Sequence, residues 1–70
     1  SKDPIEKVNI NEADKETLMM VNGFGDAVTT QLISYRNDNG VFNRLEDIKN
    51  VSGIGNATFE KVKNYIYLHD

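Results

Sequence analysis

Two short turns hold the residues whose types and spacing could do chemistry, VNGFGD at 21–26 and VSGIGN at 51–56. Each turn sets a large apolar residue between two glycines. Glycine tolerates positive φ and leaves its backbone N–H uncovered, so such a turn can expose amides at the start of a following helix. The helix dipole favours an anion there, and a phosphate oxygen could bind without a basic side chain. A tight helical hairpin needs the same glycines with no ligand, so one turn alone does not decide between these interpretations.

The two turns belong to an internal repeat with a spacing of 30 residues. A shift by that number aligns the glycines, the apolar residue between them and the apolar positions on either side. The aligned pairs are Leu18–Ile48, Val21–Val51, Gly23–Gly53, Phe24–Ile54, Gly25–Gly55, Ala27–Ala57 and Leu32–Val62. A match that includes helix face, turn and following helix indicates a duplicated helix–turn–helix unit. Two equivalent anion sites on one surface could contact a nucleic-acid backbone at two points.

The first repeat is predicted to contain two helices. Asp14 is a good N-cap for a short helix that ends near Met20. Apolar spacing over residues 26–37 predicts a second helix of about three turns, with Gly40 as its left-handed cap. Met19 and Met20 are expected to pack in the core or against the hairpin.

The second repeat is predicted to follow the same plan. Asn43 and Glu46 have the capping-box spacing for a short helix through Ile48. A final helix begins near Asn56 and carries its apolar residues on one side. Those apolar residues are Phe59, Val62, Tyr65 and Ile66.

These elements predict an all-α fold of four to five short helices at residues 8–68, after a flexible segment or linker at 1–7. The first hairpin covers about 14–37 and the second about 44–68, with a connector between them. Residues 8–11 have extended character. Buried side chains are expected at Phe24, Ile54, Val41 and Phe42.

Composition limits the functions open to this chain. It has 70 residues, no cysteine and one histidine, and its formal net charge is −3. Disulfides and thiolate metal sites are therefore excluded, and His69 is expected to be a surface residue. Without a nucleophile–base pair we expect neither an enzyme nor a small-molecule or metal site. The acids exceed the bases in residues 1–40 and balance them in 41–70, which favours the second half as the place to meet an anion.

Four stretches together resemble a tandem helix-hairpin-helix domain. They are NINEADKETL, VNGFGDAVTTQLISYR, NGVFNRLEDIKNV and SGIGNATFEKVKNYI, and the resemblance covers about residues 7–67. The order of these parts is similar to the DNA-binding domain of ComEA-type competence receptors. Similar domains also occur in other bacterial DNA- and RNA-associated proteins.

The resemblance implies sequence-independent binding of double-stranded DNA, with turn amides contacting phosphates across the minor groove. It also implies an extracytoplasmic location, through an anchor outside this chain, and transfer of DNA to the uptake machinery. The residues expected at the DNA are Asn22, Gly23, Phe24, Gly25, Ser52, Gly53, Ile54, Gly55, Asn56, Lys49, Lys61, Lys63 and Arg36. For Arg36 an ion pair is the alternative, and for the lysines a solvated surface. Some family members hold a monovalent cation on turn carbonyls, here those of Val21 and Phe24 or Val51 and Ile54; no other cofactor is expected.

The first hairpin departs from the family pattern. Asn22 stands where proline is usual, and Asp26 begins a stretch that lacks the usual lysine. Asp26 is a good N-cap, so its carboxylate is expected to occupy the amides that a phosphate needs. The second hairpin has neutral Asn56, with Lys61 and Lys63 further on. We therefore expect the second hairpin to bind DNA more tightly, with modest overall affinity and a shallow salt dependence.

Two other functions stay open. The net acidity and Asp26 favour a protein-interaction or structural module that has kept the fold and binds DNA weakly or not at all. The same domain could also be a passive clamp in a larger nucleic-acid-processing protein. The neighbouring domains of the parent protein would separate the clamp from a competence receptor.

Overall fold

Helices make up most of the structure, a computed structural model that describes residues 7–68. In chain order its elements are strand β1 (Val8–Asn9), helix α1 (Lys15–Leu18), helix α2 (Asp26–Asn39), a 3₁₀ helix (Leu45–Asn50), helix α3 (Asn56–Val62), a second 3₁₀ helix (Lys63–Tyr65) and strand β2 (Ile66–Tyr67). The predicted all-α fold is confirmed. None of these described helices is long and apolar enough to cross a membrane. His69 and residues 1–6 of the predicted flexible segment at 1–7 lie outside the described residues.

Helices α1 and α2 begin and end at local signals. Asp14 caps α1 as predicted, because its Oδ1 accepts a hydrogen bond from the Thr17 N–H at 2.9 Å. The same bond holds the pKa of Asp14 below its ordinary value. Helix α2 continues past the predicted end at residue 37 and stops at Gly40, whose φ is 86°. Gly40 is therefore the C-cap residue, as predicted, but its ψ of −165° places it outside the expected left-handed helical conformation.

The start of the second repeat differs from its prediction. The capping box at Asn43 and Glu46 is wrong, because Arg44 is the N-cap residue and no side chain of residues 7–68 caps this 3₁₀ helix. The Asp47 N–H donates to Arg44 O at 3.0 Å. This bond closes a tighter turn than an α-helix has, so the N3 geometry that a capping box requires does not form.

The end of the second repeat also departs from a continuous helix. Helix α3 ends at Val62, and a 3₁₀ turn leads to strand β2. Val8 pairs with Ile66 and Asn9 with Tyr67 in a parallel two-stranded sheet. Strands of two residues are too short to show alternation, so their pairing leaves no periodic signal.

One hydrophobic core joins the two repeats. Its buried members are Ile10, Leu18, Val21, Phe24, Leu32, Phe42, Ile48, Val51, Ile54, Phe59, Val62 and Ile66. Val41, predicted to be buried, is exposed by 65%, and Met19 and Met20, predicted to pack in the core or against the hairpin, are exposed by 41% and 80%. Helix α1 is only one turn long and buries a single side chain, Leu18, so the methionines that follow it lie outside the core.

The side chain of Asn11 connects the start of the domain to its later parts. Its Nδ2 donates to the carbonyls of Phe42 and Leu68, both at 3.1 Å, and its Oδ1 accepts from the Phe42 N–H at 2.6 Å. The Phe42 ring stacks on Tyr35 with 5.3 Å between centroids. The connector between the repeats is thus fixed to the segment around Asn11, before α1. The two repeats, and with them the two turns, are therefore held together in one domain.

Candidate nucleic-acid interface

The two turns share one backbone conformation. The first glycine of each has positive φ, 120° at Gly23 and 96° at Gly53, a region that L side chains rarely adopt. The next residue points into the core, as predicted, and Phe24 and Ile54 are exposed by only 2% and 3%. Only the backbone of these two residues can therefore meet a ligand.

The hydrogen bonds of the turns repeat at the same spacing as the sequence. They are Val21 N–H to Leu18 O, Phe24 N–H to Val21 O, Val51 N–H to Ile48 O and Ile54 N–H to Val51 O, each at 3.0 Å. The second glycine of each turn then accepts from the fourth residue after it, Gly25 from Thr29 and Gly55 from Phe59, at 2.9 Å. The duplication inferred from the sequence is thus a duplication of backbone geometry.

Each turn leads directly into a helix without a side-chain cap. Gly25 is the N-cap residue of α2 and Gly55 that of α3, both in extended backbone. The first N–H groups of a helix have no acceptor within the helix, and among residues 7–68 no side chain caps either of these two starts. Such amides are the groups that an external anion binds.

Asp26 does not cap α2, so the predicted block of the first turn is wrong. It is the first helical residue, one position beyond the N-cap. Its Oδ1 lies 3.0 Å from Lys15 Nζ and accepts a hydrogen bond from Thr30 Oγ1 at 3.4 Å. The hydrogen bond and charge of Lys15 hold the pKa of Asp26 below its ordinary value. The carboxylate is therefore a partly neutralised charge close to the first amides of α2, and it does not accept a hydrogen bond from them.

Lys15 is a residue at the first turn that the sequence did not indicate. It lies in α1, one residue after its N-cap, and Asp26 lies at the start of α2. Their separation fits no helical i, i+4 pattern. Only the packing of α1 on α2 brings the two charges together, and no local signal reports that packing.

Each turn lies against the second helix of the other repeat. A Cβ added at Gly23 would be 2.8 Å from Val62 Cγ1, on α3, and one at Gly53 would be 3.3 Å from Val28 Cγ2, on α2. The two turns are therefore held in a fixed relation by crossed contacts.

Two lysines stand beside the turns. Lys61, expected near the second turn, instead lies beside the first, with its Cδ 3.5 Å from the position of a Gly23 Cβ. Lys49 lies at the second turn, where its Nζ is 3.4 Å from Asn56 Oδ1 and 4.9 Å from the Phe59 ring centroid. Lys49 thus accompanies the second turn, and the first turn has Lys61 from the other repeat in addition to Lys15, which pairs with Asp26.

Lys63 and Arg36 have partners within the protein. Lys63 Nζ lies 2.6 Å from Glu60 Oε1. Arg36 Nη1 donates to Ile10 O at 2.9 Å and to Ala13 O at 2.8 Å. Arg36 Nη1 therefore ties the backbone at Ile10 and Ala13 to α2, and the contact of Arg36 to phosphate stays a prediction. Its alternative, an ion pair with an acid, is replaced by bonds to backbone carbonyls.

The remaining predicted contacts surround the two turns. Asn22 and Gly25 are exposed and Gly23 is half-buried at the first turn, and Ser52, Gly53, Gly55 and Asn56 are exposed at the second. Within residues 7–68 no group of three His, Cys, Asp or Glu side chains is placed to hold a metal ion. The surface around the turns therefore consists mainly of exposed backbone and small polar side chains.

The sequence of this chain is similar to those of known proteins. Residues 3–67 match the family described as the helix-hairpin-helix motif. The chain is 48% identical over 59 residues to ComE operon protein 1 of Bacillus subtilis, a match that covers 84% of this chain and 29% of that protein. It is 41% identical over 58 residues to endonuclease/exonuclease/phosphatase family domain-containing protein 1 of Homo sapiens, covering 83% of this chain and 10% of that protein. The chain thus spans a minor part of these relatives. With its duplicated turns and a family match over nearly its whole length, this chain belongs to the helix-hairpin-helix family.

Proposed function

We propose that this chain binds double-stranded DNA without sequence preference, through the backbone amides of its two turns. The observation that carries the proposal is one turn conformation used twice, each time before a helix that no side chain in the described residues caps. Amides recognise phosphate oxygens, which every DNA sequence offers. Two turns on one rigid frame would contact the DNA backbone at two points.

The lysines beside the turns support this proposal. Lys61 at the first turn and Lys49 at the second bring positive charge to a molecule whose net charge is −3. At the first turn the exposed carboxylate of Asp26 opposes a phosphate, even with Lys15 beside it. We expect the second turn to bind more tightly, and the salt dependence to be shallow because few counterions are released.

The likeness to ComE operon protein 1 supports a role in competence, as the DNA-binding domain of a receptor for incoming DNA. In this proposal the domain lies outside the cytoplasmic membrane, held by an anchor that is not part of these residues. It binds duplex DNA without cutting it and passes it to the uptake machinery.

A second candidate is a DNA clamp within a larger nucleic-acid-processing protein. The 41% identity to the endonuclease/exonuclease/phosphatase family domain-containing proteins, in which the matched segment is 10% of the length, favours it. Both candidates require duplex binding and differ only in the domains attached to this one.

Titration of labelled duplexes tests duplex binding, which both candidate functions require. Two duplexes of ~20 base pairs with unrelated sequences are titrated with the domain at ~50 and ~200 mM salt and followed by fluorescence anisotropy. We expect equal binding of the two sequences and weaker binding at the higher salt concentration. Absence of binding at the lower concentration would favour the protein-interaction module instead.

A neutral substitution at Gly55 tests the role of the amides. An added Cβ there meets no atom of the described residues within 4 Å, and the φ of −103° suits any residue. Asparagine at an N-cap accepts hydrogen bonds from the first helical amides, so Gly55→Asn should keep α3 folded and lower affinity roughly tenfold by occupying them. Gly55→Ala, which offers no acceptor, is the matched control and should bind nearly as the wild type does. Equal affinity of Gly55→Asn and Gly55→Ala would contradict the proposal.

A further inference from the structure

A groove of about 890 Å³ opens beside the first turn, and apart from Asn22 and Lys61 its lining takes no part in the duplex contacts proposed above. Its lining includes Val8, Met20, Asn22, Lys61, Tyr65 and Tyr67. Asn22 belongs to the first turn itself, and the stem of Lys61 lies against Gly23. The groove is therefore continuous with the surface where we place the DNA backbone.

The walls of the groove offer flat and polarizable apolar surface. Tyr65 and Tyr67 are half-buried, and Met20, which does not belong to the core, is exposed by 80%. Aromatic faces stack on nucleobases of any identity, and methionine sulfur makes favourable contacts with aromatic rings. The lining thus suits planar aromatic groups.

The charges around the groove favour an anionic occupant. Among residues 7–68, Lys7 and Lys61 line it together with one carboxylate, that of Glu12. This local excess of positive charge occurs on a chain with a net charge of −3. An uncharged apolar peptide would gain nothing from the lysines, whereas a phosphodiester strand would pair with them while its bases stack.

We propose that this groove binds unpaired nucleobases of a DNA strand that leaves the duplex at the first turn. Tyr65 and Tyr67 stack on the bases, and Lys7 and Lys61 pair with the phosphates. The inference rests on the proposed duplex binding, since the strand enters from that surface. It gives the domain a preference for ends with single-stranded overhangs over blunt ends.

Three DNA ligands test the groove. They are a blunt duplex of ~20 base pairs, the same duplex with an overhang of ~5 nucleotides of either polarity, and the same overhang with abasic sugars. We expect an overhang with bases to tighten binding about fivefold or more over the blunt duplex. The abasic overhang carries the same phosphates and should bind nearly as the blunt duplex does.

Two tyrosine variants locate the effect. Tyr67→Leu keeps apolar volume and removes the ring, so it should bind the blunt duplex normally and lose the overhang preference. Tyr35→Leu is the control, because the Tyr35 ring stacks on Phe42 and does not line the groove; it should keep the preference. Thermal unfolding of each variant confirms that it is folded. The ε-methyl NMR signal of Met20 should shift with the overhang and stay unchanged with the abasic one.

The outcomes separate this inference from the function on which it rests. If the blunt duplex binds but the overhang adds nothing, or Tyr67→Leu keeps the gain, the groove proposal is overturned and duplex binding stands. An equal gain from the abasic overhang, or an unmoved Met20 methyl signal, also overturns it and leaves the groove to a protein partner. If the blunt duplex does not bind, the proposed function fails and the groove proposal fails with it.

Discussion

The two repeats reach the same turn from different surroundings. The first turn lies between a helix of four residues and one of 14, and the second between a 3₁₀ helix of six residues and an α-helix of seven. Both first glycines nevertheless have positive φ, and the turn hydrogen bonds have the same lengths. The turn geometry therefore depends on its glycines and its buried apolar residue rather than on the length or type of the flanking helices.

The repeats differ more in charge than in backbone. An exposed carboxylate, Asp26, opens the helix after the first turn, and Lys15 pairs with it at 3.0 Å. The corresponding residue of the second repeat is neutral Asn56, which accepts a hydrogen bond from Lys49. Two turns with one geometry can thus differ as anion sites, and this difference is open to direct test.

The largest expected effect is a loss of stability in variants that disturb the crossed contacts of the turns. Alanine at Gly23 must adopt positive φ, which costs about 1–2 kcal/mol, and its Cβ would lie 2.8 Å from Val62. Overpacking adds about 1–3 kcal/mol, so Gly23→Ala should lower the free energy of unfolding by about 3 kcal/mol. Gly53→Ala, with a 3.3 Å contact to Val28, should lower it by about 2 kcal/mol. Urea unfolding measures both.

Gly25→Ala is the matched control for these two variants. Its Cβ would meet no atom within 4 Å, and alanine at an N-cap costs about 1 kcal/mol or less relative to glycine. A loss at Gly53 larger than that at Gly23, or a loss at Gly25 equal to both, would contradict the crossed packing.

The next largest effect on stability is expected at Thr29, whose side chain differs from that of the aligned residue in the second repeat. Thr29 occupies the place of Phe59 in the other repeat, is fully buried, and within the described residues its Oγ1 has no hydrogen-bond partner. An unsatisfied buried hydroxyl costs about 1–3 kcal/mol, so Thr29→Val should raise the free energy of unfolding by roughly 1 kcal/mol. Thr30→Val is the control, since Thr30 is exposed and its hydroxyl donates to Asp26; it should bring no gain. A loss of stability in Thr29→Val would show that the hydroxyl has an acceptor.

The features that the sequence predicted depend on residues close together in the chain, and most of those that it missed depend on contacts between residues far apart in the chain. The glycine turns, the Asp14 cap and the buried Phe24 and Ile54 follow from a few neighbouring residues, and the sequence identified them. The position of Lys61 beside the first turn depends on packing between repeats, so residue spacing placed it at the wrong turn. The same holds for the pair Lys15–Asp26 and for the parallel strands. Most local features were predictable, except the caps expected at Asn43 and Asp26, whereas the partners supplied by tertiary contacts were not.

A smaller effect, on duplex affinity, is expected from the difference in charge between the turns. Asp26→Asn should tighten duplex binding about threefold and Asn56→Asp should weaken it by a similar factor, because one exposed charge a few ångströms from a phosphate changes the free energy of binding by about 1 kcal/mol or less. Anisotropy titration at low salt measures both. Asp38→Asn changes the charge equally at an exposed site near the other end of α2, and should have less effect. Equal gains from Asp26→Asn and Asp38→Asn would mean that the DNA does not lie at the first turn.

The smallest effect is a pH dependence confined to the first repeat. Asp14 caps α1, and the hydrogen bond from Thr17 holds its pKa below the ordinary value of 3.8. A carboxyl with a lowered pKa stabilises the fold above its ordinary value, and this contribution disappears as the pH falls through the folded-state pKa. In the part of the chain that the structure describes, the 3₁₀ helix at Leu45–Asn50 has no side-chain cap to lose. Asparagine caps a helix without titrating, so Asp14→Asn should match the wild type at neutral pH and lose less stability as the pH falls below about 4. Urea unfolding at several pH values measures the difference, and parallel curves for the two proteins would show that the cap does not contribute to acid sensitivity.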